Sequence, residues 1–204
     1  LMMSHMASAD LLLEEAKKMQ SYGAQGIVLM DSAGAYFPKD VTEKIGLLAS
    51  RLEVPIGFHA HNNLGLSIAN SLAAIESGAR ILDGTAKGFG AGAGNAPLEM
   101  LAAVLMNQGY NTSVNLYKAL DASELAARLF AGSLPDSNGI TIVSGLAGVF
   151  SGFAKPVQRA SQQMGVDARD VFFELGKRRI VGGQEDIIIE VASELARQKS
   201  NSAK

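Results

Sequence analysis

Residues 54–63 read Val54-Pro55-Ile56-Gly57-Phe58-His59-Ala60-His61-Asn62-Asn63. The apolar run that opens this stretch predicts a short buried β-strand, and two histidines separated by one residue follow it. Because successive side chains of a strand point to opposite faces, His59 and His61 share a face and their imidazoles converge. Paired neutral imidazoles are a common start of a metal site. We therefore expect a metal here; the alternative is a pair of purely structural histidines.

A strand followed by a helix recurs on both sides of this stretch. Apolar runs at residues 1–6, 26–31 and 80–83 predict three further strands, and apolar residues at helical spacing predict a helix after each strand. Ser8 is a typical N-cap for the first of these helices, and Pro38 is typical of a first helical position. Four such units indicate a parallel sheet with helical crossovers.

Polar residues fall at the C-terminal ends of the predicted strands. They are His5, Asp31 with Ser32, His59 with His61, and Asp83. The C-terminal ends of the strands form the rim that carries the active site of a (β/α)₈ barrel, whereas a doubly wound sheet binds ligands only at its switch point. Because every strand contributes, the barrel is favoured. A full barrel needs about 200–250 residues, so residues 1–110 are predicted to form the C-terminal half of a (β/α)₈ TIM barrel.

Residues 111–204 are predicted to form a separate α-helical domain. Apolar residues recur there at helical spacing, without further strand patterns. The helix candidates are residues 121–130, 156–164, 167–175 and 185–197, and residues 142–153 form either a glycine-punctuated apolar helix or a turn region.

Composition excludes several classes of function. The 204 residues carry a formal charge of −2 with charges of both signs interspersed, so we expect no nucleic-acid partner. Cysteine is absent, which excludes disulfides and thiolate chemistry. No apolar stretch is long enough for a membrane span and no signal peptide is recognisable, so we expect a cytoplasmic protein without a membrane partner. The chain begins with Leu1 rather than Met, which suggests a piece of a longer chain.

Other candidate residues each have two interpretations. The Asp31 carboxylate either caps backbone amides in a turn or takes part in the metal site, as a further ligand or as the acceptor for an imidazole N–H. The Ser32 hydroxyl, with nearby N–H groups, is a candidate for binding a substrate carboxylate. Asn95 ends the glycine-rich segment 84–95, and it either caps the next helix or places an amide oxygen near the metal. His5 is expected to be a core residue or to support the metal site indirectly.

Four segments together resemble one family, the 4-hydroxy-2-oxovalerate aldolases of bacterial aromatic-compound degradation. The resemblance covers essentially the whole chain and extends to the wider group of hydroxymethylglutaryl-CoA lyase and isopropylmalate synthase. The segments are Ser4-His5-Met6, Met30-Asp31-Ser32-Ala33-Gly34, His59-Ala60-His61-Asn62-Asn63-Leu64 and Gly90-Ala91-Gly92-Ala93-Gly94-Asn95-Ala96-Pro97-Leu98-Glu99.

This resemblance implies a lyase that cleaves a 4-hydroxy-2-oxo acid into pyruvate and an aldehyde with a divalent metal, usually Mn²⁺. By position, His59 and His61 match the family's metal-binding histidines, and His59 and Ser32 match positions that contact substrate. Phe150 stands where the family usually has a pocket-lining tyrosine, which puts substrate range and stereochemical control in doubt. The family's metal-binding aspartate, catalytic histidine and arginine lie near a first strand that has no counterpart here, so we expect this chain alone to be inactive.

The helical second half resembles the family's communication domain. That implies docking of an NAD-dependent acylating acetaldehyde dehydrogenase in a heterotetramer-type complex. Gly182 and Gly183, between two predicted helices, either line a channel to that partner or form an ordinary turn. Two rival functions remain: an acyl-CoA-dependent Claisen-type condensation in the same group of barrels, and a non-catalytic module that only docks the dehydrogenase.

Overall fold

The computed structural model describes residues 1–202 and alternates strands with helices over its first half. The strands are β1 (Ile27–Asp31), β2 (Ile56–Ala60) and β3 (Ile81–Leu82). The α-helices of the described residues are α1 (Ala9–Ser21), α2 (Pro38–Arg51), α3 (Ser67–Glu76), α4 (Leu98–Asn107), α5 (Leu116–Leu129), α6 (Gly139–Ala147), α7 (Ala154–Met164), α8 (Ala168–Lys177) and α9 (Asp186–Ser202). Single 3₁₀ turns occur at Ser4–Met6, Ala86–Gly88, Ala131–Ser133 and Ser151–Phe153.

The three strands form one parallel sheet in the order β1-β2-β3. Ile27 pairs with Ile56, and Gly57 pairs with Ile81. Leu29 and Phe58 are buried against the helices that connect the strands. The parallel order with helical crossovers is the one predicted, and it brings the C-terminal ends of all three strands to the same edge of the sheet.

The strand predicted at residues 1–6 is wrong beyond its first residue. Leu1 does lie alongside β1, because its amino group donates to the Val28 carbonyl at 2.6 Å and its carbonyl accepts from the Met30 N–H at 3.0 Å. Met3 then turns the chain with a φ of 51°, and a 3₁₀ turn follows. His5 therefore lies in a turn rather than at a strand end.

The predicted helix starts are confirmed at Ser8 and Pro38. The Ser8 hydroxyl accepts a hydrogen bond from the Leu11 N–H, and Pro38 is the first residue of α2. Val41 and Ile45 on α2 are fully buried in the first hydrophobic core, between the sheet and its covering helices. Burial of a side chain of this size contributes about 1.5–3 kcal/mol to folding.

The second half is helical, as predicted, and has its own hydrophobic core. Buried apolar residues of α7, α8 and α9 form this core, among them Val157, Phe172 and Val191. Asp167 caps α8, where its side chain accepts from the Arg169 N–H. We call this part, from α6 to α9, the helical domain; the boundary predicted after residue 110 stays a prediction.

Several hydrogen bonds join the helical domain to the sheet half, among them one at the loop after β1 and one at the N-terminal turn. The Ser151 N–H donates to the Ser32 carbonyl at 3.0 Å. His5 Nε2 lies 2.8 Å from the Gly148 carbonyl oxygen. The loop after β1 and the N-terminal turn thus rest directly on the helical domain. Across residues 1–202, no helix combines the length and hydrophobicity that a membrane span requires.

Candidate metal centre

The two histidines lie together at the C-terminal edge of the sheet. His59 is the penultimate residue of β2. His61 follows the strand and forms an isolated antiparallel bridge with Asn95. The ring centroids are 5.2 Å apart with an interplanar angle of 69°. The predicted convergence of the two imidazoles is therefore present, although the strand ends one residue before His61.

A carboxylate orients His59. Asp83 follows β3 directly, and its Oδ1 lies 2.7 Å from His59 Nδ1. This hydrogen bond raises the pKa of His59 above its ordinary value, against the opposing effect of burial. A carboxylate on one ring nitrogen leaves the other nitrogen available as a metal ligand and makes it more basic. Sequence reasoning placed Asp83 on the rim but missed this role, which the adjacency of β2 and β3 indicates.

His61 is held in the neutral form. Burial, and then the neighbouring charge of His59, lower the pKa of His61 to about 4. Its Nδ1 is buried and has no hydrogen-bond partner among the described residues. A neutral imidazole is the form that binds metals, so this nitrogen is available to a ligand; the buried Nδ1 of His5 also has no partner but lies in the N-terminal turn.

Asn95 does not cap the helix that follows it. The N-cap of α4 is Pro97, and the Asn95 side chain turns back to donate to the Phe89 carbonyl at 2.9 Å. The capping prediction is wrong because the chain still runs along the sheet edge at residue 95, two residues before the N-cap of the helix. Asn95 Oδ1 is buried without a hydrogen bond within residues 1–202, but it is close enough to His59 to raise the pKa of that imidazole.

Asp31 and Ser32 face inward. The Asp31 carboxylate accepts hydrogen bonds from the Ala35 and Tyr36 N–H groups at 2.9 and 3.1 Å, which is the turn interpretation. Burial raises the pKa of Asp31 to about 6. The Ser32 hydroxyl is also buried and accepts from the Met3 N–H at 2.9 Å. Ser32 is thus occupied by the N-terminal turn in this structure.

A cavity of about 550 Å³ separates the glycine-rich segment from the helical domain. Ala91 and Gly92 line one wall, and Ser151 and Lys155 line the other. Neither histidine lines it, although the Ala91 backbone is close enough to His61 to affect its pKa. The cavity therefore adjoins the histidines without containing them.

The structure brings Phe150 and Gly182 together, two residues singled out separately in the sequence. A Cβ atom added at Gly182 would lie 3.7 Å from the Phe150 ring. Phe150 also packs edge to face on Phe153, with ring centroids 5.5 Å apart. Gly183 has open space around it, with no heavy atom within 4 Å of an added Cβ. The glycine pair is thus a turn with free space beside an aromatic ring.

The residues present fit part of a metal site. Two imidazoles converge, one oriented by Asp83 and the other with a buried, unsatisfied nitrogen. Among residues 1–202, however, no cluster of three or more His, Cys, Asp or Glu side chains has a geometry that could hold a metal. Two ligands do not complete a coordination shell. Further ligands would have to come from Asn95, water, a substrate or protein residues outside residues 1–202.

Comparison with known protein families assigns the chain to one of them. A model described as HMGL-like matches residues 1–126, more than half of the chain. The chain belongs to the HMGL-like family. A second model, described as a DmpG-like communication domain, matches residues 135–197, which include most of the helical domain. The predicted fold class, a half (β/α)₈ barrel followed by a helical communication domain, is confirmed at this level.

Several curated relatives of this chain are named 4-hydroxy-2-oxovalerate aldolase. This chain is 58% identical over 202 residues to the 4-hydroxy-2-oxovalerate aldolase of Pectobacterium atrosepticum, a match that covers 99% of this chain and 59% of that protein. It is 50% identical to the enzyme of the same name from Geobacillus thermodenitrificans, with 98% of this chain and 58% of that protein covered. The chain therefore spans about three fifths of the length of the relatives it matches.

Solved structures support the fold independently. The carboxyl transferase domain of Rhizobium etli pyruvate carboxylase superimposes with a TM-score of 0.77 at 16% identity, covering 95% of this chain and 34% of that one. At such low identity the likeness shows the arrangement of strands and helices alone.

Proposed function

We propose that this chain is part of a divalent-metal-dependent aldolase that cleaves 4-hydroxy-2-oxovalerate into pyruvate and acetaldehyde. The observation that carries the proposal is the convergence of His59 and His61, whose ring centroids are 5.2 Å apart. Asp83 orients the ring of His59. The 58% identity to a protein of that name supports the substrate. A divalent metal held there would act as a Lewis acid that polarises the 2-oxo group, and Mn²⁺ is our proposed ion.

The chain's own residues have distinct roles in this proposal. His59 and His61 donate ring nitrogens to the metal, while Asp83 fixes the orientation of the His59 ring. The unsatisfied Asn95 oxygen is a candidate further ligand or an acceptor beside it. Ser32 and Phe150 are proposed to contact substrate. For Ser32 this requires release of its hydroxyl from the Met3 N–H.

We propose that this chain by itself binds the metal weakly and does not turn over substrate. Cleavage of the carbon–carbon bond requires removal of the 4-hydroxyl proton by a general base. The two imidazoles are assigned to the metal, and no third metal ligand of the His, Cys, Asp or Glu type joins them among residues 1–202. We place the protein in the cytoplasm, as expected from the sequence.

A chimera tests the activity directly. The part of the Pectobacterium atrosepticum relative that this chain does not match would be fused in front of Leu1. We expect the chimera to release pyruvate from 4-hydroxy-2-oxovalerate with Mn²⁺, and His59→Ala to abolish this activity. The chain alone should release none.

Two outcomes would contradict the proposed reaction. One is a folded, Mn²⁺-binding chimera that releases no pyruvate. The other is release of free thiol from acetyl-CoA by the same chimera, which would indicate a Claisen-type condensation instead. A chimera carrying His5→Ala is the matched control for loss of a histidine outside the site, and it should retain activity.

We also propose that the helical domain docks an NAD-dependent acylating acetaldehyde dehydrogenase, in an assembly of two copies of each chain. The match of residues 135–197 to a communication-domain model supports this partner. Gly182 and Gly183 would line the passage for the aldehyde, because the structure leaves free space beside Phe150 at this turn.

Substitutions at Gly182 test the passage. Gly182→Phe would fill the space beside Phe150, so transfer of acetaldehyde to the dehydrogenase should fall at least about tenfold while binding of the partner persists. Gly182→Ala is the matched control, because its Cβ would make only ordinary van der Waals contact at 3.7 Å. Unchanged transfer in Gly182→Phe, measured as NADH formed per pyruvate released by the chimera, would refute the passage.

A further inference from the structure

Asn63 lies where four segments of the chain meet. Its side chain is fully buried and makes three hydrogen bonds. Nδ2 donates to the Ala33 carbonyl and to Ser151 Oγ, both at 2.9 Å. Oδ1 accepts from the Ala93 N–H at 2.8 Å. The partners belong to the loop after β1, the turn before α7 and the glycine-rich segment after β3, so one side chain connects three loops.

Glycines surround this side chain closely. A Cβ at Gly34 would lie 2.7 Å from the Asn63 backbone nitrogen, and one at Gly145 would lie 3.0 Å from Asn63 Cβ. A Cβ at Gly92 would collide with Asn63 Oδ1. Three neighbouring segments therefore approach Asn63 through residues that lack a side chain. This packing holds the amide in a single position.

The three hydrogen bonds also select an amide. The Ala33 carbonyl needs a donor and the Ala93 N–H needs an acceptor. The Asn63 amide supplies both, with its Nδ2 and its Oδ1. Aspartate has the same shape but would place a second acceptor against the Ala33 carbonyl. Serine carries a single hydroxyl on a side chain too short to reach groups on opposite sides.

The bond to Ala93 reaches the metal centre through the backbone. The glycine-rich segment returns to the sheet immediately after Ala93, where the Gly94 carbonyl accepts from the Asn62 N–H at 2.8 Å and Asn95 bridges His61. The segment also brings the Ala91 backbone to the His61 ring. The position of residues 91–95 next to His61 thus depends on the side-chain amide of Asn63.

We propose that Asn63 is a positioning residue of the metal centre. Its amide holds the glycine-rich segment against His61 and ties both to Ser151 of the helical domain. The inference rests on the proposed metal site for its functional meaning, but the contact that it describes is testable without metal. Asn63 touches neither the metal nor the substrate, and it acts through residues 91–95.

Two measurements on the metal-free chain test the contact. Since the chain has three histidines, the imidazole signal of His61 is resolvable by NMR. Asn63→Ala should shift that signal and accelerate amide hydrogen exchange at residues 91–95 at least about tenfold. Asn63→Asp keeps the oxygen that accepts from the Ala93 N–H and should therefore accelerate exchange at residues 91–95 less than Asn63→Ala does, although it loses the bond to the Ala33 carbonyl; it also serves if the alanine variant does not fold.

Asn70 provides a matched control. It is equally buried, on α3, and makes one side-chain bond, to the Tyr36 carbonyl. Asn70→Ala should lower overall stability without moving the His61 signal. Ser151→Ala removes only the side-chain bond from Asn63 to the helical domain and should leave exchange at residues 91–95 within about twofold. Equal changes in the Asn63 and Asn70 variants, or none in a folded Asn63 variant, would overturn the proposal.

Metal binding separates this inference from the proposed function. With Mn²⁺ as the probe, Asn63→Ala should bind about tenfold or more weakly than the unmodified chain, the scale expected for residues that support metal ligands. If the unmodified chain bound no Mn²⁺, the proposed metal site would fail, while the imidazole signal and the exchange rates would still decide whether Asn63 positions the segment.

Discussion

At the scale of single residues, Asp31 shows how a buried carboxyl links folding to pH. Burial raises its pKa from 3.8 to about 6, despite hydrogen bonds from the Ala35 and Tyr36 N–H groups. The folded state therefore binds the proton more tightly than the unfolded chain. This contribution to stability is complete below about pH 4 and is lost as the pH rises through 6; the shift corresponds to about 3 kcal/mol.

An isosteric variant measures this contribution. We expect the free energy of unfolding of Asp31→Asn to vary less between pH 4 and pH 7 than that of the unmodified chain. At pH 4, where the folded unmodified chain keeps Asp31 protonated, the variant should be less stable by about 1 kcal/mol, because its NH2 group replaces one of the two oxygens that accept from backbone N–H groups. Urea titrations across this pH range provide the measurement, and parallel pH curves for the two proteins would contradict the assignment.

Single residues of the site were only partly predictable from the sequence. The shared face of His59 and His61 follows from the period of a strand, which is a local property. The bond from Asp83 to His59 and the three bonds of Asn63 join residues 24 to 88 positions apart. Such contacts depend on how the strands and loops are arranged, so the sequence of either segment alone does not reveal them.

At the scale of elements, the glycine-rich segment depends on glycine at position 94. Gly94 has a φ of +89°, and an added Cβ would collide with the Gly88 carbonyl and lie 2.8 Å from Pro135. Gly109 has a similar φ of +84° with nothing within 4 Å of an added Cβ. The two positions thus share a backbone conformation and differ in packing.

Alanine at these two positions separates strain from packing. Gly109→Ala should cost about 1–2 kcal/mol, the expected strain of a left-handed conformation. Gly94→Ala should cost a further 1–3 kcal/mol or so from overpacking, and it should weaken Mn²⁺ binding because the segment covers His61. Thermal or urea unfolding of the two variants measures the loss in free energy of unfolding. Equal losses would contradict the prediction, because they would show that the glycine-rich segment moves to accommodate the added Cβ.

Elements with strong local signals were predictable, and the exceptions have identifiable causes. β1 and β2 are apolar runs, and α2 begins with Pro38, so hydrophobic pattern and capping chemistry were sufficient. The turn at Met3 places a non-glycine residue at positive φ, which no local pattern indicates. The start of α4 depends on the bond from the Leu98 N–H to the Thr85 carbonyl, a contact across the loop.

At the scale of the whole molecule, the described residues form two hydrophobic cores, and the candidate metal centre lies at the edge of the sheet that belongs to the first. The first core covers one face of the sheet, and the second fills the helical domain. Asn63 and the Ser32–Ser151 backbone bond connect the two halves next to the histidines. A sheet edge that carries two imidazoles thus abuts a domain of the communication type.

Mn²⁺ binding to the chain, followed by electron paramagnetic resonance, tests the central claim most directly. With three histidines in the sequence, His5→Ala is a control for His59→Ala and His61→Ala. We predict weak binding to the unmodified chain, at least about tenfold weaker binding to either site variant, and binding within about twofold to His5→Ala. Equal binding by all four proteins, or none by the unmodified chain, would contradict the account.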